Sequence, residues 1–367
     1  MAIKTISIKG TDSKDMALQA KEALKEFETK FLLFFASSFY NDSNPAAELS
    51  AVFPDSKVIG STAHSEYCNS TYTSRSVSIM AMDKDSVEDI CVKVVEDIGE
   101  EININETVKD METYFGGSEE IFNNFDKYVG IILFESSAKA EEIFMDRLGD
   151  ATNILFVGGS SSAAENNISR VYADDKVYEK AAVLAILKTV KGYDVLKTQS
   201  ASVLSDRKLL VTKSNLRDRI LYEFDNRPCG EVYAEVLGVS VDKIKDYFVS
   251  NPLGIVIGDE IFVRTFDQIK DGGITLHCGL PEGAEINVLK IGDIVADTKQ
   301  ALDNVITYQP AGVINFNCLY RTFEMLNKEL TQPYCALFGR YPSIGLSTGG
   351  EAFLGHINET STVLIIK

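Results

Sequence analysis

Three stretches of this sequence repeat one series of residue types: an aliphatic residue, a glycine, several hydroxyl side chains and a closing glutamate. They run from Ile59 to Glu66, from Val157 to Glu165 and from Ile344 to Glu351. Glycine lets a backbone approach a ligand closely, and exposed backbone N–H groups form a nest for an anion. The three stretches are therefore candidate binding loops for a carboxylate or a phosphate.

The third stretch is the strongest candidate, because other polar residues are expected to lie beside it. Its own candidates are Gly345, Ser347, Thr348, Gly350 and Glu351. The preceding strand is predicted to end at Asn317 and Cys318, and Arg321 is predicted to lie on the first turn of the next helix. We expect these eight residues to form one site.

The charges of this group favour a particular kind of ligand. The planar guanidinium of Arg321 suits a carboxylate, and Glu351 is expected to face an ammonium group. A zwitterion such as an amino acid carries both. The structural alternatives are that the glycine-rich stretch is only a turn and that Arg321 lies on the surface or pairs with Glu351.

The first stretch supplies secondary candidates: Ser61, Thr62, His64 and Glu66. His64 is the histidine most suited to bind haem or a metal, and the alternative is an ordinary polar loop residue. Glu66 and Glu165 are interpreted as residues that cap their own loops, in line with a duplication.

Cys318 is a candidate nucleophile, because a helix N-terminus lowers the pKa of a thiol. Catalysis would also need a base, and His356 is the histidine nearest to it in sequence. No residue that would orient such a base stands out, so a small buried thiol is the preferred interpretation.

The elements that position these residues form a pattern that recurs three times: strand, helix, strand, polar loop, strand. The predicted strands are 31–38, 57–60 and 76–82 in the first module, 129–137, 153–159 and 181–187 in the second, and 311–318, 334–340 and 361–367 in the third. Two parallel strands joined by a crossover helix place their carboxyl ends on one edge of the sheet, where α/β proteins bind ligands.

The fold class predicted from this pattern is α/β, with mixed β-sheets flanked by helices and built from β-α-β-β modules. Residues 254–291 read as a β-meander between the second and third modules. Asn226-Arg227-Pro228 interrupts the strand pattern, so a domain boundary is expected there. The first domain would be 1–226, with two modules, and the second 227–367, with the meander and the third module.

Composition restricts the class of protein. The chain of 367 residues is long enough for two or three domains, and its 36 basic against 54 acidic residues give a net charge of −18, which disfavours nucleic acid as a partner. No apolar run has the roughly 18 residues that span a membrane, so no membrane insertion is expected. Six cysteines without a C-x-x-C pair favour a cytoplasmic location.

Taken together, these motifs resemble the FIST family, with its N-terminal and C-terminal FIST domains. The residues that carry the resemblance are the glycine–hydroxyl stretches, Phe316-Asn317-Cys318 with Arg321, and Asn358 with Thr360. The resemblance implies a non-enzymatic sensory protein that binds a small ligand such as an amino acid. We expect a stand-alone cytoplasmic sensor that signals through a separate partner, for example a histidine kinase.

Two alternatives stay open at this stage. Some members of the family bind haem and report nitric oxide to a histidine kinase, which would give His64 a role. A Cys318-dependent enzyme is the other.

Overall fold

The computed structural model describes residues 2–99, 102–164, 168–258 and 260–367, and the side chain of residue 42 is not part of this description. The α-helices of this part of the chain are α1 (Ser13–Ala23), α2 (Pro45–Val52), α3 (Asn105–Tyr114), α4 (Ser118–Asn123), α5 (Glu141–Ala151), α6 (Cys229–Leu237), α7 (Ile294–Val305), α8 (Leu319–Asn327) and α9 (Thr331–Phe338). Short 3-10 helices lie at Ser38–Asp42, Phe125–Lys127, Ser136–Ala138 and Val241–Tyr247.

The strands follow in chain order. Up to residue 95 they are β1 (Ile3–Ile8), β2 (Phe31–Ser37), β3 (Lys57–Ala63), β4 (Glu66–Cys68), β5 (Thr71–Thr73), β6 (Val77–Met82) and β7 (Val87–Val95). From 128 to 203 they are β8 (Tyr128–Phe134), β9 (Phe156–Ser160), β10 (Val171–Ala173), β11 (Lys176–Tyr178), β12 (Ala182–Thr189), β13 (Tyr193–Gln199) and β14 (Ala201–Val203).

The remaining strands belong to the meander and the third module. Between 209 and 291 they are β15 (Leu209–Asn215), β16 (Ile220–Phe224), β17 (Arg227–Pro228), β18 (Leu253–Ile257), β19 (Glu260–Arg264), β20 (Phe266–Lys270), β21 (Gly273–Leu276) and β22 (Glu285–Ile291). The last ones are β23 (Gly312–Cys318), β24 (Ser343–Thr348), β25 (Glu351–Phe353), β26 (His356–Ile357) and β27 (Thr360–Ile366).

The described residues form three six-stranded sheets and one nine-stranded sheet. Each six-stranded sheet contains one parallel pair joined by helical segments: β2 with β3, β8 with β9, and β23 with β24. The other pairings are antiparallel, so the sheets are mixed, with helices packed on them. This confirms the predicted α/β class.

The three six-stranded sheets have the same strand order and exchange their hairpins in a cycle. The orders are β1-β6-β2-β3-β10-β11, β7-β12-β8-β9-β25-β26 and β13-β27-β23-β24-β4-β5. The hairpin β4–β5, which follows β3 in the chain, thus extends the third sheet, and β25–β26, which follows β24, extends the second. Each sheet is completed by residues of another module.

The inner faces of the three sheets share one apolar core. Phe35, Leu133 and Phe316 come from the three parallel pairs and belong to the same buried cluster. The rings of Phe35 and Phe316 meet edge to face at 6.0 Å between centroids. Since side chains alternate along a strand, the outer faces of the same strands pack under the helices.

The nine-stranded sheet has a core of its own, which includes Leu209, Tyr233 and Phe266. An ion pair links it to the second module: Arg219 Nη2 lies 2.8 Å from Glu141 Oε2 on α5, and both side chains are buried. This sheet corresponds to the meander predicted from the sequence, extended by β14 to β17.

One predicted strand is wrong. Residues 334–340 were expected to form the second strand of the third module, but Thr331–Phe338 is a helix and the strand is Ser343–Thr348. The apolar run is short enough to suit either element, and Pro333 is tolerated in the first turn of a helix, where its missing N–H has no intrahelical partner. Consequently the third glycine–hydroxyl stretch is mostly strand.

Candidate functional site

The predicted site residues are divided between the two faces of the third sheet. In the parallel pair, Asn317 lies opposite Ser347 and Cys318 opposite Thr348. Since successive side chains point to opposite faces, Asn317 and Ser347 lie on the helix side, whereas Cys318 and Thr348 lie on the inner side. The structure therefore does not bring all eight predicted residues into one pocket.

The helix side holds a buried network of hydrogen bonds beneath α8. Asn317 Oδ1 accepts from Arg321 Nε at 3.0 Å, and its Nδ2 donates to Tyr67 Oη at 3.2 Å. Ser347 Oγ lies 2.8 Å from Thr322 Oγ1 and 2.7 Å from Ser65 Oγ. The exchanged hairpin supplies Ser65 and Tyr67, so the network fixes α8 on the sheet and orients Arg321.

Arg321 is a buried cation with one donor left over. It is 1% exposed, and its Nη2 donates to Thr298 Oγ1 at 2.9 Å. Its Nη1 has no hydrogen-bond partner in the described part of the chain. A buried charged donor without a partner is costly, so Arg321 Nη1 is a candidate contact for a ligand.

Glu351 is engaged in the fold. Its carboxylate accepts from Thr348 Oγ1, from Thr360 Oγ1 at 2.7 Å and from the backbone N–H of Thr360 at 3.1 Å. Burial raises its pKa to about 7, and these hydrogen bonds oppose the shift. The carboxylate that the sequence predicts to face an ammonium group is thus occupied by its own strand neighbours.

Glu359 is the acidic residue that the sequence reasoning missed. It is 1% exposed, and neither carboxylate oxygen has a hydrogen-bond partner among the described residues. Its backbone has a φ of 55°, a region that disfavours residues with a Cβ. Its place between Asn358 and Thr360, both already part of the motif, was the available signal. A residue that combines backbone strain with a buried carboxyl lacking partners is a candidate for function.

Arg321 and Glu359 lie near each other but do not form an ion pair among the described residues. Burial raises the pKa of Glu359 to about 8, and the positive charge of Arg321 is the next contribution and lowers it. The guanidinium Nη1 and both carboxylate oxygens lack partners. A buried guanidinium and a buried carboxyl that is mostly protonated at pH 7 therefore lie near each other at the tip of the third sheet.

Cys318 is buried against this site, and its environment does not activate it. Burial raises the pKa of its thiol well above the ordinary value, and Glu351 and Glu359 raise it further. Backbone N–H groups of Glu359 and Tyr320 point to the sulfur and oppose this only weakly. The expected lowering of this pKa by the helix N-terminus is wrong, because burial and neighbouring carboxyls outweigh it.

The glycines of the third stretch serve close packing. None of Gly345, Gly349 and Gly350 has a positive φ. A Cβ on Gly350 would lie 2.3 Å from His356 Nε2, and one on Gly345 would lie 2.4 Å from a backbone carbonyl oxygen. The N–H of Ser347 donates to Ser65 and that of Gly349 to Ser160, so the predicted anion nest is not free there.

The secondary candidates lie on β3 and on the hairpin that follows it. Ser61 is buried on the first sheet, its Oγ has no partner among the described residues, and Thr62 Oγ1 accepts from the N–H of Arg170 at 3.0 Å. Glu66 lies on the exchanged hairpin, where Ser76 Oγ donates to it at 2.7 Å. Its Oε1 is unpartnered, and burial raises its pKa to about 8. Glu165 lies outside the described residues.

His64 lies where β3 ends, on the side of α8. Its N–H donates to Ser162 Oγ at 2.9 Å, and its ring meets that of Phe323 edge to face at 5.4 Å. Burial lowers its pKa, so the imidazole is neutral at pH 7. That is the state in which histidine binds a metal. Within the described residues, no group of three or more metal-ligating side chains is found.

The nine-stranded sheet covers the tip of the third sheet. Thr265 Oγ1 donates to Asn358 Oδ1 at 3.3 Å, beside Glu359. His277 Nε2 lies 3.2 Å from Tyr320 Oη, on the helix that carries Arg321. Arg321 and Glu359 are consequently enclosed between the third sheet, α8 and this cover.

Comparison with known proteins decides the family. The model of the FIST N domain matches residues 30–227, more than half of the chain. The chain belongs to the FIST family. The model of the FIST C domain matches residues 230–353 as well, which confirms the resemblance read from the motifs. FIST domains are sensory domains implicated in small-ligand binding and signalling.

One curated relative is an uncharacterized protein of Methanocaldococcus jannaschii, 21% identical over 197 residues. The match covers 49% of this FIST chain and 38% of that relative's length. In the described ranges of this FIST protein, no helix is long and apolar enough to cross a membrane.

Proposed function

We propose that this protein is a cytoplasmic sensor that binds a small zwitterionic ligand, such as an amino acid, between Arg321 and Glu359. The observation that carries the proposal is the buried guanidinium of Arg321 near the buried carboxyl of Glu359, each with polar atoms that have no hydrogen-bond partner in the described ranges. The FIST family membership supports a sensory rather than a catalytic role. The six cysteines, all free and buried, support the cytoplasmic location.

The ligand's carboxylate would accept from Arg321 Nη1, and its ammonium group would donate to Glu359. Hydrogen bonds to charged groups contribute about 1.5–3 kcal/mol each, and more is regained when a buried charge would otherwise stay unpaired. A ligand with only one of the two charges satisfies only one residue. Zwitterions are therefore expected to bind more tightly than simple amines or carboxylic acids.

The other predicted residues have supporting roles in this proposal. Asn317 and Ser347 hold Arg321 in place. Thr348 and Glu351 order Thr360, the residue that follows Glu359. Cys318 forms a wall of the site, and Gly345 and Gly350 allow the close packing beneath it. The division into domains at residue 226 remains part of the proposal, as does signalling through a separate protein such as a histidine kinase.

A thermal-shift screen with amino acids, matched amines and matched carboxylic acids tests this function. We expect a subset of amino acids to raise the melting temperature of the wild-type chain. Glu359→Gln should abolish that rise while the protein remains folded, because the amide has nearly the same shape. Glu66→Gln is the matched control, since Glu66 is equally buried and has a similarly raised pKa but lies on another hairpin.

Three results would contradict the proposal. In the first, no amino acid stabilises the protein. In the second, Glu359→Gln and Arg321→Lys both respond to ligand as the wild type does. In the third, the Glu66→Gln control loses the response as well.

Haem binding is the second candidate function, and the neutral, partly buried imidazole of His64 favours it. Haemin added to the purified chain would then give a Soret band that His64→Ala removes. A spectrum without such a band from folded protein would eliminate this candidate. The cysteine-dependent enzyme is disfavoured, because the raised pKa keeps the Cys318 thiol protonated.

A further inference from the structure

The tip of the hairpin β25–β26 bears an unusual leucine. Leu354 is 81% exposed, and its backbone has a φ of 51°. An exposed leucine gains nothing from burial, and this φ is unfavourable for a side chain with a Cβ. Glycine or asparagine would suit the turn better. Two costs at one surface position indicate that the side chain serves something other than the fold of this chain.

Leu354 stands at the edge of an apolar groove. The groove has a volume of about 450 Å³, and its other walls are the end of α5 and the start of β9, including Leu148 and Phe156. Residues 152–154 also line a second, smaller hollow of about 80 Å³, next to Phe122 and Phe125. These two phenylalanines are 71% and 70% exposed. The hairpin tip, the groove and the two rings form one continuous surface, here called the tip groove.

The charged side chains that line the tip groove are all acidic. Asp146 and Asp150 belong to the larger hollow and Glu112 to the smaller one. None of the three takes part in an ion pair within the described part of the chain, and the carboxylate of Glu112 accepts from Thr152 Oγ1 at 2.9 Å. Large apolar side chains surrounded by charge of one sign are typical of a surface that binds an amphipathic segment of opposite charge.

We propose that the tip groove binds an amphipathic, Lys- or Arg-bearing helical segment of a signalling partner. Apolar residues on one face of that helix would pack against Leu354, Phe122 and Phe125, and its basic residues would lie along the carboxylates of Asp146, Asp150 and Glu112. The choice of a basic partner follows from charge complementarity, since the rim carries no lysine or arginine among its lining residues.

The position of this surface gives it a physical connection to the buried charges. The chain from Glu351 to Glu359 is one hairpin, with Leu354 at its tip and both glutamates at its base. A ligand that pairs with Glu359 would change the conformation of the hairpin where it leaves the sheet. Leu354, at the tip, is five residues away in sequence. This connection rests on the proposed function, whereas the docking surface itself does not.

The binding test uses fluorescently labelled synthetic peptides of about 18 residues that form amphipathic helices. One has leucine and lysine faces, the second leucine and glutamate faces, and the third has serine in place of leucine. We expect the Leu/Lys peptide to bind the full chain measurably, and the other two to bind at least about tenfold more weakly. Anisotropy titrations at physiological salt give the dissociation constants.

Variants locate the binding. Leu354→Gly should raise the dissociation constant of the Leu/Lys peptide by about tenfold or more. The double change Phe122→Ser with Phe125→Ser should do the same. Leu18→Ser is the control, because Leu18 is 54% exposed on α1 and does not line the groove. Equal binding to all variants would overturn the proposal, since it would mean unspecific attraction to an acidic protein. A dimer in sedimentation experiments that only the groove variants dissociate would overturn it too, in favour of a second copy as occupant.

These measurements need no small ligand. If amino acids fail to stabilise the protein but the Leu/Lys peptide binds at the groove, the proposed function fails and the docking surface stands. If amino acids bind and the peptide does not, the docking surface fails and the proposed function stands. Hydrogen exchange at residues 352–357, with and without the stabilising amino acid, then tests the connection through the hairpin.

Discussion

The guanidinium of Arg321 lies close enough to Glu359 to lower the pKa of that carboxyl, yet in the part of the chain that the structure describes Nη1 of the arginine and both oxygens of the glutamate have no hydrogen-bond partner. A folded chain ordinarily pairs such groups or leaves them in water. Asn317 and Thr298 hold the rest of the guanidinium, which keeps it from turning to the glutamate. In the proposed function, a small molecule pairs with both groups.

Stability should fall as the pH rises between about 6.5 and 8. Burial raises the folded-state pKa of Glu66 and Glu359 to about 8 and that of Glu351 to about 7, from a usual value of 4.5. The folded state therefore binds more protons than the unfolded state. Each carboxyl lowers the free energy of unfolding by up to about 1.4 kcal/mol per pH unit, Glu351 below about pH 7 and the other two below about pH 8. Urea unfolding at a series of pH values measures this slope.

The three histidines contribute little to the pH dependence of stability between pH 6.5 and 8. Burial lowers the pKa of His64, His277 and His356, so these rings reduce stability only below their ordinary pKa of about 6.5. Glu66→Gln and Glu359→Gln should each flatten the slope between pH 6.5 and 8. A wild-type slope of zero or of opposite sign there would show that these carboxyls are ionised in the folded protein.

Binding of a zwitterion near pH 7 should release a proton. Glu359, with a pKa of about 8, is mostly protonated in the free protein, and an ammonium group beside it stabilises the carboxylate. The measured binding enthalpy should therefore vary with the ionisation enthalpy of the buffer, and affinity should increase up to about pH 8. Calorimetric titrations in phosphate and in Tris, both at pH 7, measure this release. Binding without proton uptake or release would place the ammonium group away from Glu359.

The Cys318 thiol should be unreactive in the native protein. Its pKa is raised by burial and by two carboxyls, so almost no thiolate is present at neutral pH. The other cysteines are also free and buried. An aromatic disulfide reagent should react within minutes only after unfolding in denaturant, and wild type and Cys318→Ala should behave alike before it. Rapid modification of Cys318 in the folded chain would revive the enzymatic alternative.

Leu354→Gly should stabilise the protein slightly. The change removes a side chain from a positive φ and from contact with water, and we expect a gain of about 0.5–1 kcal/mol at most, reduced by the greater freedom of glycine in the unfolded chain. Denaturant unfolding compares it with wild type, and Leu18→Ser serves as the reference for the loss of an exposed leucine. A loss of more than about 1 kcal/mol would mean that Leu354 supports the fold.

Much of the architecture could be predicted from the sequence because it depends on local periodicity. The strands around Phe35, Leu133 and Phe316 and the meander after residue 254 follow from apolar spacing and turn residues. The strand predicted at residues 334–340 was wrong because a short apolar run suits a strand and a helix equally. Local pattern alone does not decide between the two there.

Only part of the candidate site could be predicted from the sequence. The sequence by itself determined that Asn317, Cys318 and Arg321 adjoin the third glycine–hydroxyl stretch, because a parallel pair with a crossover helix places its carboxyl ends together. Only the tertiary structure decided which charges remain unpaired. The alternation of side chains along a strand places Ser347 and Thr348 on opposite faces. The exchanged hairpin supplies Ser65 and Tyr67. Thr360 donates hydrogen bonds to Glu351. Pairing between residues far apart in the chain thus left Arg321 Nη1 and the carboxyl of Glu359 without partners among the described residues, and such pairing is set by packing in three dimensions.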